Sequence, residues 1–147
     1  RPPRSTLFPY TTLFRSLAAP LLIGCDMAQM DDFTRSLLTN DEVIDVNQDP
    51  LGLQAVPVWQ QGDQVIYAKH LEDGSMAVGL FNRGWQTVKM NFTLRMLGLR
   101  GRQTVRDLWR QKDLTECTDK FETAVAPHGV VLVRVYPGNS REQATGK

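Results

Sequence analysis

Two cysteines, two histidines and a net charge of only +1 in 147 residues exclude several classes of protein at the outset. Cys25 and Cys117 lie far apart, with no CxxC pair and no histidine at ligand spacing. Neither a zinc site nor a disulfide framework is predicted, and two buried free thiols are expected instead. Seventeen basic and sixteen acidic side chains include no block of like charge that would serve as a nucleic-acid arm or a polybasic membrane anchor. The longest apolar run, residues 17–25, is broken by Pro20 and Gly24 and falls far short of the roughly 20 residues that span a bilayer. No nucleic acid and no membrane are therefore expected as partners. What is present, 41% hydrophobic and 22% charged residues, is the composition of one ordinary globular domain.

Residues 1–16, RPPRSTLFPYTTLFRS, contain no acidic residue and neither helical nor strand periodicity. They also lack the apolar core and small-residue cleavage site of a signal peptide. The run TLFPYTTLFRS, residues 6–16, is what the genetic code gives for a widely used sequencing adapter in its first frame. Residues 1–16 are therefore expected to be a library-construction scar and are set apart from fold reasoning. Leaving out Arg1, Arg4 and Arg15 turns the balance to 14 basic against 16 acidic residues, a mildly acidic remainder at −2.

Residues 17–24, LAAPLLIG, form a short continuous apolar run ending in glycine, the pattern of a strand buried on both faces of a parallel sheet. Asp31 or Asp32 then caps a helix with Phe33, Leu37 and Leu38 on one face. The sequence TNDE at 39–42 predicts a break near Asn40 and a second helical start carrying Val43, Ile44 and Val46. Pro50 and Gly52 end it.

From about Val56 the hydrophobic period changes to two. Runs at 64–71 and 76–81 flank Glu72-Asp73-Gly74, a hairpin connection, and Asn82-Arg83-Gly84 turns the chain again. Val88, Met90, Phe92 and Leu94 alternate with polar residues, so one face is buried and the other wet. Runs at 103–109, 120–126 and 129–136 follow, the last with VVLV expected near the sheet centre. Six or seven antiparallel strands in about 80 residues make a small β-sandwich the natural architecture. The polar tail 138–147 reads as disordered. An isolated parallel strand and helix ahead of a sandwich read as the last repeat of a larger α/β domain, cut off upstream.

The segments AAPLLIGCDM, LLTNDEVIDVNQDPLGLQ, MAVGLFNRG, VRDLWRQKDL and VAPHGVVLVRV together resemble the C-terminal part of the α-galactosidases of glycoside hydrolase family twenty-seven. The resemblance covers roughly residues 17–136. It implies a mainly β chain, in which a C-terminal antiparallel β-sandwich at 56–137 follows the last β-α unit of a truncated (β/α)8 barrel at 17–55. It also implies α-galactoside oligosaccharides or glycoconjugates as substrates, acting through the missing barrel, and no cofactor. A retaining enzyme of this kind needs two carboxylates about 5–5.5 Å apart, one nucleophile and one acid/base. In the family these are aspartates in motifs like KYD and SDD on barrel strands four and six. Neither motif occurs here, so no catalytic, cofactor-binding or metal-binding residue carries over, and the chain is expected to be inert. Within the matched region, Ala28 stands where the family commonly has an arginine.

Each remaining polar or aromatic feature has a structural reading beside the functional one. Asp26, after the presumed barrel strand, reads as a loop or cap residue rather than a catalytic acid. Asp41, Glu42 and Asp45 suit the positive end of a helix. His70 and His128 are lone histidines with no partner at ligand spacing. Trp59, Trp85 and Trp109 offer aromatic faces for sugar but are expected to pack in the core or an interdomain seam. Asn91-Phe92-Thr93 is an N-glycosylation sequon on the expected wet face of its strand.

Overall fold

The computed structural model describes residues 23–137. The adapter-like segment 1–16, the tail 138–147 and all but the last two residues of the run 17–24 lie outside the described residues. Ile23 and Gly24 join no strand.

Asp26 accepts a hydrogen bond from the N–H of Ala28 at 2.9 Å and opens a 3-10 turn at Met27–Gln29. Helix α1, Asp32–Leu38, is capped by Asp31, whose carboxylate accepts from the N–H of Thr34 at 2.7 Å. Helix α2, Asp41–Gln48, restarts after Asn40, whose Oδ1 accepts from the N–H of Val43 at 3.2 Å. The break predicted near Asn40 is thus a side-chain cap that satisfies a first-turn donor of α2.

Among the described residues eight strands follow: β1 Val56–Gln61, β2 Gln64–His70, β3 Met76–Asn82, β4 Val88–Thr93, β5 Gln103–Asp107, β6 Lys112–Cys117, β7 Lys120–Val125 and β8 Gly129–Pro137. They form a six-stranded sheet in the order β1-β2-β3-β8-β5-β6 and a two-stranded sheet, β4-β7. Every pairing among them is antiparallel. The VVLV run of β8 lies between β3 and β5, so it is central as its composition predicts.

Edge strand β1 carries Pro57, which has no N–H to give a ladder, and a register shift between Pro57 and Trp59. Edge strand β6 is the element that hydrophobic patterning misses. Only Cys117 of its six residues is buried, so it is held by backbone pairing to β5 and has no apolar alternation to read. Leu94, expected to extend the alternation of β4, instead begins a 3-10 turn at Leu94–Leu97, capped by Thr93 and closed by Gly98 in the left-handed conformation, φ 70°. Its side chain stays buried.

The two sheets enclose one core. Ile66, Val78, Leu80, Val105, Val133 and Val135 from the large sheet meet Met90, Phe92, Phe121 and Val125 from the small one. Phe92 and Phe121 pack with ring centroids 5.5 Å apart. The opposite face of the large sheet carries a second cluster, in which Val43 and Val46 of α2 lie against Leu71, Ala77, Leu108 and Leu132. Burying two valines stabilises this contact by about 1.5–3 kcal/mol each before ordering costs. The protein is therefore three layers deep, and α2 packs on the sandwich although it precedes the change of period at Val56.

Candidate functional site: the helix–sheet junction

Polar side chains with long-range partners concentrate where α2 crosses the outer face of the large sheet. Strand alternation brings Lys69, Arg106 and Arg134 to this face, because Lys69 is opposite Ala77, Ala77 opposite Arg134, and Arg134 opposite Arg106. Each of the three cations is taken up by a neighbour.

Arg106 holds Glu42 through two hydrogen bonds, Nε to Oε2 at 2.7 Å and Nη2 to Oε1 at 2.5 Å, and reaches Asp113 at 3.1 Å. Hydrogen bonding to Glu42 raises its already high pKa, outweighing burial. Lys69, 2% exposed, donates from Nζ to the carbonyl of Val46 at 2.6 Å, satisfying a carbonyl in the last turn of α2. Burial lowers its pKa, and the nearby Asp49 carboxylate opposes that shift. Arg134 donates to Ser75 Oγ at 2.8 Å and to Asp73 at 2.8 Å, with its guanidinium over the Tyr136 ring.

Two further contacts clamp the ends of α2. Asn40 Nδ2 donates to the carbonyl of Leu108 at 3.0 Å, so one side chain caps the helix and ties it to the chain after β5. Asp49, just past the helix, accepts from the N–H groups of Leu51 and Glu72. Between α2 and the β2–β3 hairpin lies an open recess of about 300 Å³, whose lining includes Asp45, Asp49, Glu72, Asp73 and Arg134. Burial would push the Asp73 carboxyl up, but hydrogen bonds from Ser75 and the charge of Arg134 prevail and hold it below its ordinary value. Among the described residues, no group of three or more His, Cys, Asp or Glu is placed to hold a metal ion.

The residues singled out from the sequence disperse. Asp26 caps a turn, and Asp41 accepts from Gln111 Nε2 and the N–H of Glu42. Glu42 belongs to the clamp, and Asp45 lines the recess. His70 is exposed at the end of β2. Trp59 packs partly against the inter-sheet core and Trp109 against the cluster under α2, as expected. Trp85 is not in the core, since it is 84% exposed in the β3–β4 loop, with the His128 ring edge-on at 4.3 Å. Cys25 is likewise exposed, against the expectation of two buried thiols, whereas Cys117 is buried.

That loop is fixed by the first residue of the turn expected at Asn82-Arg83-Gly84. Asn82, 2% exposed, donates from Nδ2 to the carbonyls of Gln86, Val125 and Ala126 and accepts at Oδ1 from the N–H of Gly84. A polar residue ending an apolar strand ahead of Arg-Gly was the available signal.

An eight-stranded, two-sheet sandwich with a helix strapped to its outer face is an architecture that can be compared with known proteins. Residues 61–135 match the family described as the alpha galactosidase C-terminal beta sandwich domain. The chain belongs to that family. It is 37% identical over 134 residues to a probable alpha-galactosidase of Dictyostelium discoideum, covering 87% of this chain and 35% of that protein. It is 38% identical over 123 residues to alpha-galactosidase 3 of Arabidopsis thaliana, covering 80% and 28% respectively. Among solved structures, alpha-galactosidase I from Mortierella vinacea aligns with a TM-score of 0.84 at 30% identity, over 89% of this chain and 35% of that one. The chain thus spans about a third of the length of the relatives it matches. The sandwich of this family accounts for the mainly antiparallel fold.

Proposed function

We propose that this chain is the C-terminal part of an α-galactosidase-like retaining glycoside hydrolase that removes terminal α-linked galactose from oligosaccharides or glycoconjugates. The observation that carries the proposal is the family match across the sandwich, joined to alignments in which the relatives are themselves alpha-galactosidases. Residues 17–55 then derive from the last β-α unit of a barrel, and 56–137 are the sandwich that follows it. The nucleophile and the acid/base lie on the upstream barrel, where two aspartates about 5–5.5 Å apart flank the scissile bond. The residues present perform no step of that reaction. Their part is to hold α2 against the large sheet, through Arg106–Glu42, Asn40–Leu108 and Lys69–Val46, and so to fix the sandwich to the element next to it.

Turnover of an aryl α-galactoside by the purified 147-residue chain is expected to be nil, and a chain extended upstream through a barrel with both aspartates is expected to be active. Turnover by the short chain would overturn the proposal. A second reading, a carbohydrate-binding module, is favoured by exposed Trp85 alone. Galactoside binding that is lost on Trp85→Ala would establish it, and a silent titration of the folded chain would leave the structural role.

A further inference from the structure

We propose that Asn91 is an N-glycan acceptor when the chain is made in a eukaryotic secretory pathway, and that the glycan is added before β4 pairs with β7. Asn91-Phe92-Thr93 is the one N-x-Ser/Thr sequence in the chain. Alternation along β4 sends Met90 and Phe92 into the core, 2% and 0% exposed, and puts Lys89, Asn91 and Thr93 on the opposite face. Asn91 is exposed, stands across from Glu122, and makes no hydrogen bond through its carboxamide among the described residues. Among the described residues the small sheet has only these two strands, and Lys89 and Asn91 of β4 and Lys120, Glu122 and Ala124 of β7 stand exposed on its outer face. A bulky polar glycan fits there without displacing any packed group.

The chemistry is a substitution at a sugar carbon. The amide nitrogen of Asn91 bonds to C1 of an oligosaccharide carried on a lipid pyrophosphate, the C1–oxygen bond breaks, the pyrophosphate leaves with the electron pair, and the amide loses one proton. The fold limits when this happens. Phe92, the middle residue of the acceptor, is fully buried, and Thr93 Oγ1 is engaged by the N–H of Met96 at 3.2 Å. A transferase that must surround the tripeptide reaches it only while the strand is open.

The test is translation of the whole chain, behind a signal peptide, in the presence of microsomes. A gel shift of one glycan is expected, reversed by peptide-N-glycosidase, absent in Asn91→Gln and Thr93→Ala, and kept in Thr93→Ser. Because transfer is read before folding, lost stability in a variant does not affect the result. Chain folded first and then given to detergent-solubilised oligosaccharyltransferase and lipid-linked donor is expected to stay unmodified. Absence of the shift in the wild type, or its survival in Asn91→Gln, would overturn the site. Equal modification of the prefolded chain would overturn the timing.

Discussion

Arg106 on β5 and Glu42 in the first turn of α2, 64 residues apart in sequence, face each other through two hydrogen bonds, one to each carboxylate oxygen, with side chains only 16% and 21% exposed. Paired forks of this kind are the strong class of ion pair, and breaking one leaves a charge in a poorly solvated site. Glu42→Gln is expected to lower unfolding free energy by about 2 kcal/mol in urea titrations. Asp113→Asn, removing the more exposed partner of the same guanidinium, is expected to cost less than about 1 kcal/mol. Equal losses would mean that Glu42 is no more than a surface charge.

Asn82 distributes one amide over three carbonyls and one N–H, at the end of β7 and in the loops that carry Trp85 and His128. Asn82→Ala leaves these groups without their partner and is expected to cost about 1–3 kcal/mol. Asn82→Asp is expected to be worse, because it aims a carboxylate at carbonyl oxygens in a buried site. Thermal unfolding of the two variants decides the order, and an aspartate variant as stable as the alanine variant would contradict the polarity assigned to this side chain.

Local chemistry made much of this fold legible. The capping residues Asp31 and Asn40, the Glu72-Asp73-Gly74 connection and the alternation from Val88 to Phe92 all act within a few residues, where sequence spacing is spatial spacing. β6 was not legible because an exposed edge strand needs no apolar face. The clamp was hidden for a different reason. Nothing local links Glu42 to Arg106 or Asn40 to Leu108; the topology that sets β5 beside β8 and lays α2 across them creates those contacts. Trp85 shows the limit of composition, since an aromatic in a loop follows the loop rather than the core.

The two thiols should separate cleanly by reactivity. Cys25 is exposed, whereas Cys117 is buried and its thiol pKa is pushed up, first by burial and then by the charge of Asp119. Thiolate is the reactive form. A disulfide reagent at neutral pH is therefore expected to titrate one thiol quickly in the folded chain and the second only on unfolding. Cys25→Ser should abolish the fast phase, and rapid reaction of Cys117 in that variant would mean that the end of β6 opens readily.

Asp73 gives the junction an acid-sensitive element. In the fold its carboxyl lies below its ordinary value, because Ser75 and Arg134 stabilise the anion more than burial disfavours it. A group whose pKa is depressed on folding contributes its full stability above its unfolded value, about 3.9, and loses it as pH falls through the folded value. The side chain is 46% exposed, so the contribution is small, below about 1 kcal/mol after solvent screening. Asp73→Asn is therefore expected to lower the urea midpoint modestly at about pH 7, with the gap to wild type unchanged down to about pH 5. Below the unfolded value the gap should shrink, closing as the wild-type carboxyl takes up its proton. A gap that widens on acidification would require the opposite shift, and with it a recess in which Arg134 does not face Asp73.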